Sequence, residues 1–236
     1  MKKSLLAEAE RFRKSIGTKN ESSLHRSLKF QYTGSGGKSE IEVGEYVADG
    51  IRKDGEYIEV QTGSFGPLVK KVTKLASLGK VRIIHPVAVS KTIEVYDKDG
   101  KFLYRRKSPV HGTYWDIFNA LLHAGGLTLL KDVSVEVALV EIKEKRAKDG
   151  KGAWKRGGVS ILDKELSVWH ESIVLSKPKD YLRFIPFKKN EEFTVSSHAR
   201  KAGIKVWLSR RVLYVLTKAK IIKRTGKKGN AWVYIR

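Results

Sequence analysis

Between residues 18 and 97 the spacing of apolar residues switches from a helical period to an alternating one, back to helical, and to alternating again. Such a chain must pack helices on a sheet, because a 3.6-residue period buries one stripe of a helix and a two-residue period one face of a strand. A helix starting near Thr18 or Asn20 carries Leu24, Leu28 and Phe30, and the flexible TGSGGKS turn ends it. Ile41, Val43, Tyr46 and Val47 read as strand. EYVADGI and YIEVQT are joined by RKDGE, a hairpin with Asp54-Gly55 in its turn. Residues 64–78 are helical, with Pro67 tolerated in the first turn. The strands VRIIHPVAV, KTIEVYD and KFLYRR follow, the last two separated by an Asp99-Gly100 turn. The expected class is α/β (α+β).

The remaining segments are read the same way. Residues 4–16 form a short helix closed by Gly17, and 108–123 contain an amphipathic helix at DIFNALLHA. VSVEVALVEI is a strand by alternation and β-branching. The polar, Gly- and Lys-rich stretch 143–158 is expected to be a mobile loop, order returns over 163–174, and 178–186 reads as a linker. Trp154 in that loop is either a packing anchor, the commoner role, or a platform for a base among Lys151, Lys155 and Arg156.

Forty-eight lysines and arginines oppose 25 acids, a formal charge of +23. Self-repulsion of that size suits a polyanionic partner, nucleic acid before an acidic membrane surface. No apolar run approaches the roughly 18 residues that span a bilayer, so no membrane partner is expected. The opening MKKSLLAEAERF lacks a secretory apolar stretch, since its apolar run stops at Ala7 before Glu8 and Glu10. With no cysteine the chain has neither disulfides nor thiolate metal sites, and a cytoplasmic setting is expected. The charge is uneven. Residues 187–236 hold fourteen lysines and arginines against Glu191 and Glu192 alone.

That basic stretch is the most legible part of the chain. Thr194 can cap a helix, VSSHARKA, that Gly203 terminates. A second helix follows across VWLSRRVLYVLTKA, with Val206, Val212, Leu213 and Leu216 facing a core. Ile221 and Ile222 then begin a strand, GKKGN turns, and AWVYIR pairs back. Over residues 193–236 this order resembles a winged helix-turn-helix. The resemblance implies a DNA-binding domain over 187–236, with Ser209, Arg210 and Arg211 on or near the recognition helix and Lys227 and Lys228 in the wing. Domains of this shape also serve as protein-interaction modules.

The front half, 1–186, carries the chemistry. Asp49 comes late in one strand of the hairpin and Glu59 lies on the next, so the turn brings two carboxylates together. Alternation puts Glu59 and Gln61 on one face while Val60 points into the core. Two carboxylates on adjacent strands can share a hard divalent cation, which activates water and neutralises charge on a phosphate. Asp49, nine residues, then Glu59-Val60-Gln61 resembles the PD-(D/E)XK (restriction-endonuclease-like) nuclease superfamily over residues 18–95. The resemblance implies an αβββαβ core (about 18–142) and phosphodiester hydrolysis with Mg²⁺ or Mn²⁺. Asp49 and Glu59 would be metal ligands, Glu21 a further carboxylate from the first core helix, and Gln61 would place the water. Two departures stand: Gln61 replaces the pattern's lysine, and no proline precedes Asp49. Lys70, Lys71 or Lys74 on the following helix could supply the missing charge.

Each carboxylate has a plainer role open to it. Glu21 fits a capping box with Thr18, Asp49-Gly50 fits turn chemistry, and Glu59 could face solvent. His85, His111 and His123 lack metal-ligand spacing, and neither GSGGK nor GKKGN matches a P-loop. The sequence thus points to a metal-dependent endonuclease acting on DNA, double-stranded for preference, with a homodimer compatible with one site cutting one strand. The alternatives are a non-catalytic DNA-binding regulator with a degenerate nuclease fold and a nuclease acting on RNA.

Overall fold

The computed structural model describes residues 21–236. The helix expected over 4–16 and the helix start near Thr18 or Asn20 lie outside them. Helix α1 (Ser23–Thr33) leads into β1 (Lys38–Val43), β2 (Tyr46–Ile51) and β3 (Tyr57–Val60), then α2 (Val69–Ala76) and β4 (Val81–Asp97). β1, β2 and β3 pair antiparallel, and α2 carries the chain back so that β4 runs parallel to β3. A parallel neighbour requires such a crossover. Helix, three strands, helix and strand is the order the apolar periods indicate.

β5 (Phe102–Lys107) pairs with the far half of β4. The one-turn helix α3 (Ile117–Ala120), set among 3₁₀ turns, precedes β6 (Val133–Lys148), and β7 (Val159–Leu175) folds back on β6. The mixed sheet has the order β1-β2-β3-β4-β6-β7, with β5 on the side of β4. Leu24 and Leu28 of α1 cover one face with Ile58, Val60, Ile84, Ala138 and Val140. Val72 and Leu75 of α2, with Phe118 and Leu121, cover Ile83, Val135 and Val137 on the other. Central parallel strands buried on both faces need apolar residues at almost every position, as their sequences show.

Three sequence expectations change. VRIIHPVAV and KTIEVYD form one strand, β4, with an irregularity between Ala88 and Ser90. β6 does not stop at Ile142, because Lys143–Lys148 stay in register with β7 and leave only 149–158 as the turn. All but Ala147 are charged, so no apolar alternation marked them; ion pairs such as Lys145–Glu165 at 2.6 Å tie the strands instead. Residues 178–186 are no exposed linker either. Pro178–Phe184 is a 3₁₀ helix with Tyr181 and Phe184 buried.

The C-terminal unit comprises α4 (Val195–Ala202), α5 (Val206–Lys218) and the antiparallel pair β8 (Lys223–Lys228) and β9 (Ala231–Ile235). The Thr194 side chain caps α4, and Gly203 ends it in the left-handed region at φ +67°. The strand begins at Lys223, after Ile221 and Ile222, and Lys227 and Lys228 belong to β8. Phe184 meets Phe118 edge-on at 4.9 Å, and Val212, Leu213, Val215 and Leu216 enter the same core as Phe118 and Leu121. The unit therefore shares one continuous core with the sheet.

Candidate active site

The pairing of Gly50 with Ile58 and Ile51 with Tyr57 sets Asp49 opposite Glu59 across the hairpin. The Val60 N–H donates to Asp49 Oδ2 at 2.8 Å, and the Asp49 N–H to Glu59 Oε1 at 3.3 Å. Val60 is buried against α1, as alternation requires. Lys71 reaches in from α2 and donates to Glu59 Oε2 at 2.6 Å. From α1, His25 Nε2 lies 3.1 Å from Asp49 Oδ2 and 3.4 Å from Glu21 Oε1, and Lys29 Nζ lies 3.0 Å from Glu21 Oε1. A charged row thus runs from α1 across the hairpin to α2.

Glu59 is only 2 % exposed, so the solvent-facing role open to it in the sequence is excluded. Burial, and next the Asp49 charge, push its carboxyl up to about 7 against the pull of Lys71. Burial also pushes Asp49 up, but the bonds from His25 and the Val60 N–H, with the His25 and Lys71 charges, hold it below its ordinary value. The buried carboxylates Glu94 and Glu144 are likewise held low, by Arg105 and Arg146 respectively. Among the described carboxylates with a resolved shift, Glu59 alone is raised. Structural ion pairs settle their charges; this pair leaves one unsettled.

Two carboxylates facing each other across the hairpin could hold a divalent cation such as Mg²⁺ or Mn²⁺. Mg²⁺ takes one or two carboxylates and fills its other positions with water and phosphate. Among the described residues no three His, Asp or Glu side chains form a ready-made metal cage. Glu21 stands one step away, joined to Asp49 through His25, and its buried Oε1 makes ion-pair contacts without a well-directed hydrogen bond. It is not a capping-box residue either: Ser22 caps α1 and Glu21 precedes that cap.

Gln61 lies just beyond β3 and gives its amide to the Ser64 carbonyl at 2.6 Å. Of the three lysines on α2, Lys71 reaches the carboxylates, while Lys70 and Lys74 lie exposed on the outer surface. His25, in the first turn of α1, is the member sequence reading missed.

In the C-terminal unit Arg210, Lys227 and Lys228 are exposed. A groove of about 660 Å³ between α5 and the β8–β9 hairpin is lined by Arg210, Arg211, Tyr214, Arg224 and Trp232. Lys227 Nζ lies 4.8 Å over the Trp232 ring. Arg211 turns toward α3 and donates to the Asn119 side chain, with its guanidinium 5.0 Å over the Trp207 ring. Ser209 corrects the sequence reading: it is fully buried, its hydroxyl 2.9 Å from His198 Nδ1 and 3.0 Å from the Val195 carbonyl oxygen. At helical spacing from Val212, Leu213 and Leu216 it belongs to the apolar face and is closed to nucleic acid. Trp154 is also corrected. At 91 % exposed it anchors nothing.

The molecule is an α+β protein built on a mixed sheet, and among the described residues no helix is long and apolar enough to cross a membrane. The chain belongs to the family described as Domain of unknown function (DUF8091), which matches residues 22–176, from the cap of α1 to the end of β7. An uncharacterized protein of Treponema pallidum (strain Nichols) is 28% identical over 151 residues. That match covers 64% of this chain and 60% of the relative, so the chain spans less than two thirds of the relative's length. No solved structure matches.

Proposed function

We propose that the chain is a metal-dependent DNA endonuclease of the PD-(D/E)XK, restriction-endonuclease-like type, with a winged helix-turn-helix over 187–236 that holds duplex DNA. One observation carries this reading. Asp49 and Glu59 face each other across the hairpin with the Lys71 ammonium 2.6 Å from Glu59, so helix α2 supplies the charge that Gln61 lacks. Mg²⁺ or Mn²⁺ at the two carboxylates would polarise the scissile phosphate and acidify a bound water. Asp49 is held in one orientation by His25 and the Val60 N–H. Lys71 is placed to stabilise charge that develops on the phosphate oxygens. Lys70 and Lys74 on α2, with Arg210, Lys227 and Lys228, offer exposed cations to the backbone. A cytoplasmic setting and a homodimer, one site for each strand, belong to the same reading.

Asp49→Ala and Glu59→Ala are expected to abolish plasmid nicking in Mg²⁺ or Mn²⁺ while salt-sensitive DNA binding persists. Two variants that cut as fast as the parent overturn the site. A second reading, a DNA-binding regulator without catalysis, is favoured by the commitment of the Gln61 amide to Ser64. Wild-type protein that binds DNA but leaves plasmids and branched oligonucleotides intact in either ion would select it.

A further inference from the structure

Beyond the irregularity at Ala88/Ser90, β4 continues with β5, β6 and β7 as an arm that leaves the body of the sheet. Its buried acids are already committed. Glu94 binds Arg105 at 2.7 Å, and Glu144 binds Arg146 at 2.5 Å and Lys91 at 3.3 Å. A basic groove of about 510 Å³ along the arm is lined by Thr92, Arg105, Arg106, Lys107, Lys143 and Ser167. At the tip, among the described residues, no ion pair joins Lys155 or Arg156 to a carboxylate.

The tip is pinned. The Gly152 N–H donates to the Gly158 carbonyl at 2.8 Å, and the Gly157 N–H to Trp154 at 2.8 Å. Ser160 Oγ and the Lys151 N–H both donate to Asp149 Oδ1. Gly157 and Gly158 sit at φ +61° and +76°, and a Cβ on Gly152 would stand 1.9 Å from the Val159 carbonyl oxygen. On this closed turn the Trp154 indole stands out in solvent, followed in the chain by Lys155 and Arg156. An aromatic face beside cations that no described carboxylate neutralises suits a nucleobase, and the basic groove lies on the same arm between the tip and the body of the sheet.

We propose that Trp154 stacks on an unpaired base of the DNA held at the Asp49–Glu59 site, with Lys155 and Arg156 on the adjoining phosphates. This rests on the nuclease reading for its partner and adds the substrate class: duplex interrupted by a gap, flap or bubble. Register gives the spacing. Glu59 lies level with Ile83 and Val135, and the hairpin closes at Lys148 opposite Val159. Thirteen residues of β6 separate the two levels, at most about 43 Å at roughly 3.3 Å per residue. With Trp154 in the turn beyond Lys148, the unpaired base lies on the order of one to one and a half turns of B-DNA from the scissile phosphate.

The test uses full-length protein in EDTA and duplexes carrying 2-aminopurine in a short gap, with intact duplex as control. Wild type and Trp154→Phe should quench the probe and prefer gapped DNA. Trp154→Ala should lose the quench and bind gapped DNA roughly tenfold more weakly, with intact duplex unaffected. Undiminished quenching by Trp154→Ala overturns the proposal, as does an equal loss on both DNAs. Trp154-dependent binding to anionic phospholipid vesicles with unchanged DNA binding assigns the tip to a membrane and overturns it too. Plasmid cleavage by wild type keeps the nuclease reading standing in either case, whereas absence of any DNA binding removes both.

Discussion

Lys71 Nζ lies 2.6 Å from Glu59 Oε2, whereas Gln61, two residues beyond Glu59 in the chain, is bonded to Ser64 at the same distance. The cation comes from the helix rather than the strand. Lys71 shares a stripe of α2 with buried Leu75 at i+4, which aims it at the sheet, while Lys70 and Lys74 share the exposed stripe.

Lys71→Ala is expected to lower plasmid cleavage at least about a hundredfold, as loss of one transition-state donor does, while DNA binding changes far less. Adding Gln61→Lys to that variant should restore part of the rate, because a strand-borne lysine can approach the same carboxylates. Single-turnover cleavage checks both. Wild-type rates for Lys71→Ala would show that the Lys71–Glu59 pair is structural only.

Glu59 connects the site to stability. Its carboxyl titrates at about 7 in the fold against an ordinary 4.5, so the folded chain holds that proton more firmly than the unfolded one. The contribution is complete below the unfolded value and disappears as pH rises through about 7. The shift corresponds to about 3 kcal/mol lost by pH 8. Glu59→Gln should therefore melt higher than wild type at pH 8 in EDTA, with the gap closing toward pH 4.5, while cleavage is abolished. A melting difference that stays constant from pH 5 to 8 contradicts this account.

The opposite sign holds for His198. It is fully buried, its Nε2 donating to the Phe184 carbonyl at 2.8 Å, and burial keeps its pKa below 6.5. The unfolded chain takes up that proton first, so stability is complete above 6.5 and falls as pH drops below it. His85, buried and bonded to the Gln61 carbonyl, acts the same way. His198→Gln should lower the melting temperature at pH 7 yet flatten its fall between pH 7 and 5.5. A slope identical to wild type would place the acid sensitivity elsewhere.

What the sequence revealed follows from range. The hairpin, α2 and the Thr194-to-Gly203 helix were legible because their signals are local: a period, a cap, a glycine at positive φ. The facing of Asp49 and Glu59 follows from the hairpin alone. His25 on Asp49 was not legible, because contacts across 24 residues depend on how α1 docks on the sheet. Ser209 was misjudged by residue type, since the helical spacing that buries Leu213 and Leu216 buries it as well. The extension of β6 through Lys148 was hidden because ion pairs hold its charged residues in register.

The contrast between Ser209 and its neighbours gives a prediction for the C-terminal unit. Arg210 and Lys227 are exposed cations, so Arg210→Ala and Lys227→Ala should each reduce the salt slope of DNA binding by about 1. The folds of both variants should melt as wild type does. Ser209→Ala should leave the salt slope alone and cost about 1–3 kcal/mol of stability, because His198 Nδ1 loses its buried partner. Arg211→Ala should resemble Ser209→Ala, since Arg211 is tied to Asn119 beneath α5. Binding isotherms at four salt concentrations, with melts of the same samples, separate the two classes. If Ser209→Ala changed the slope and Arg210→Ala did not, the DNA-facing side of α5 would have to be reassigned.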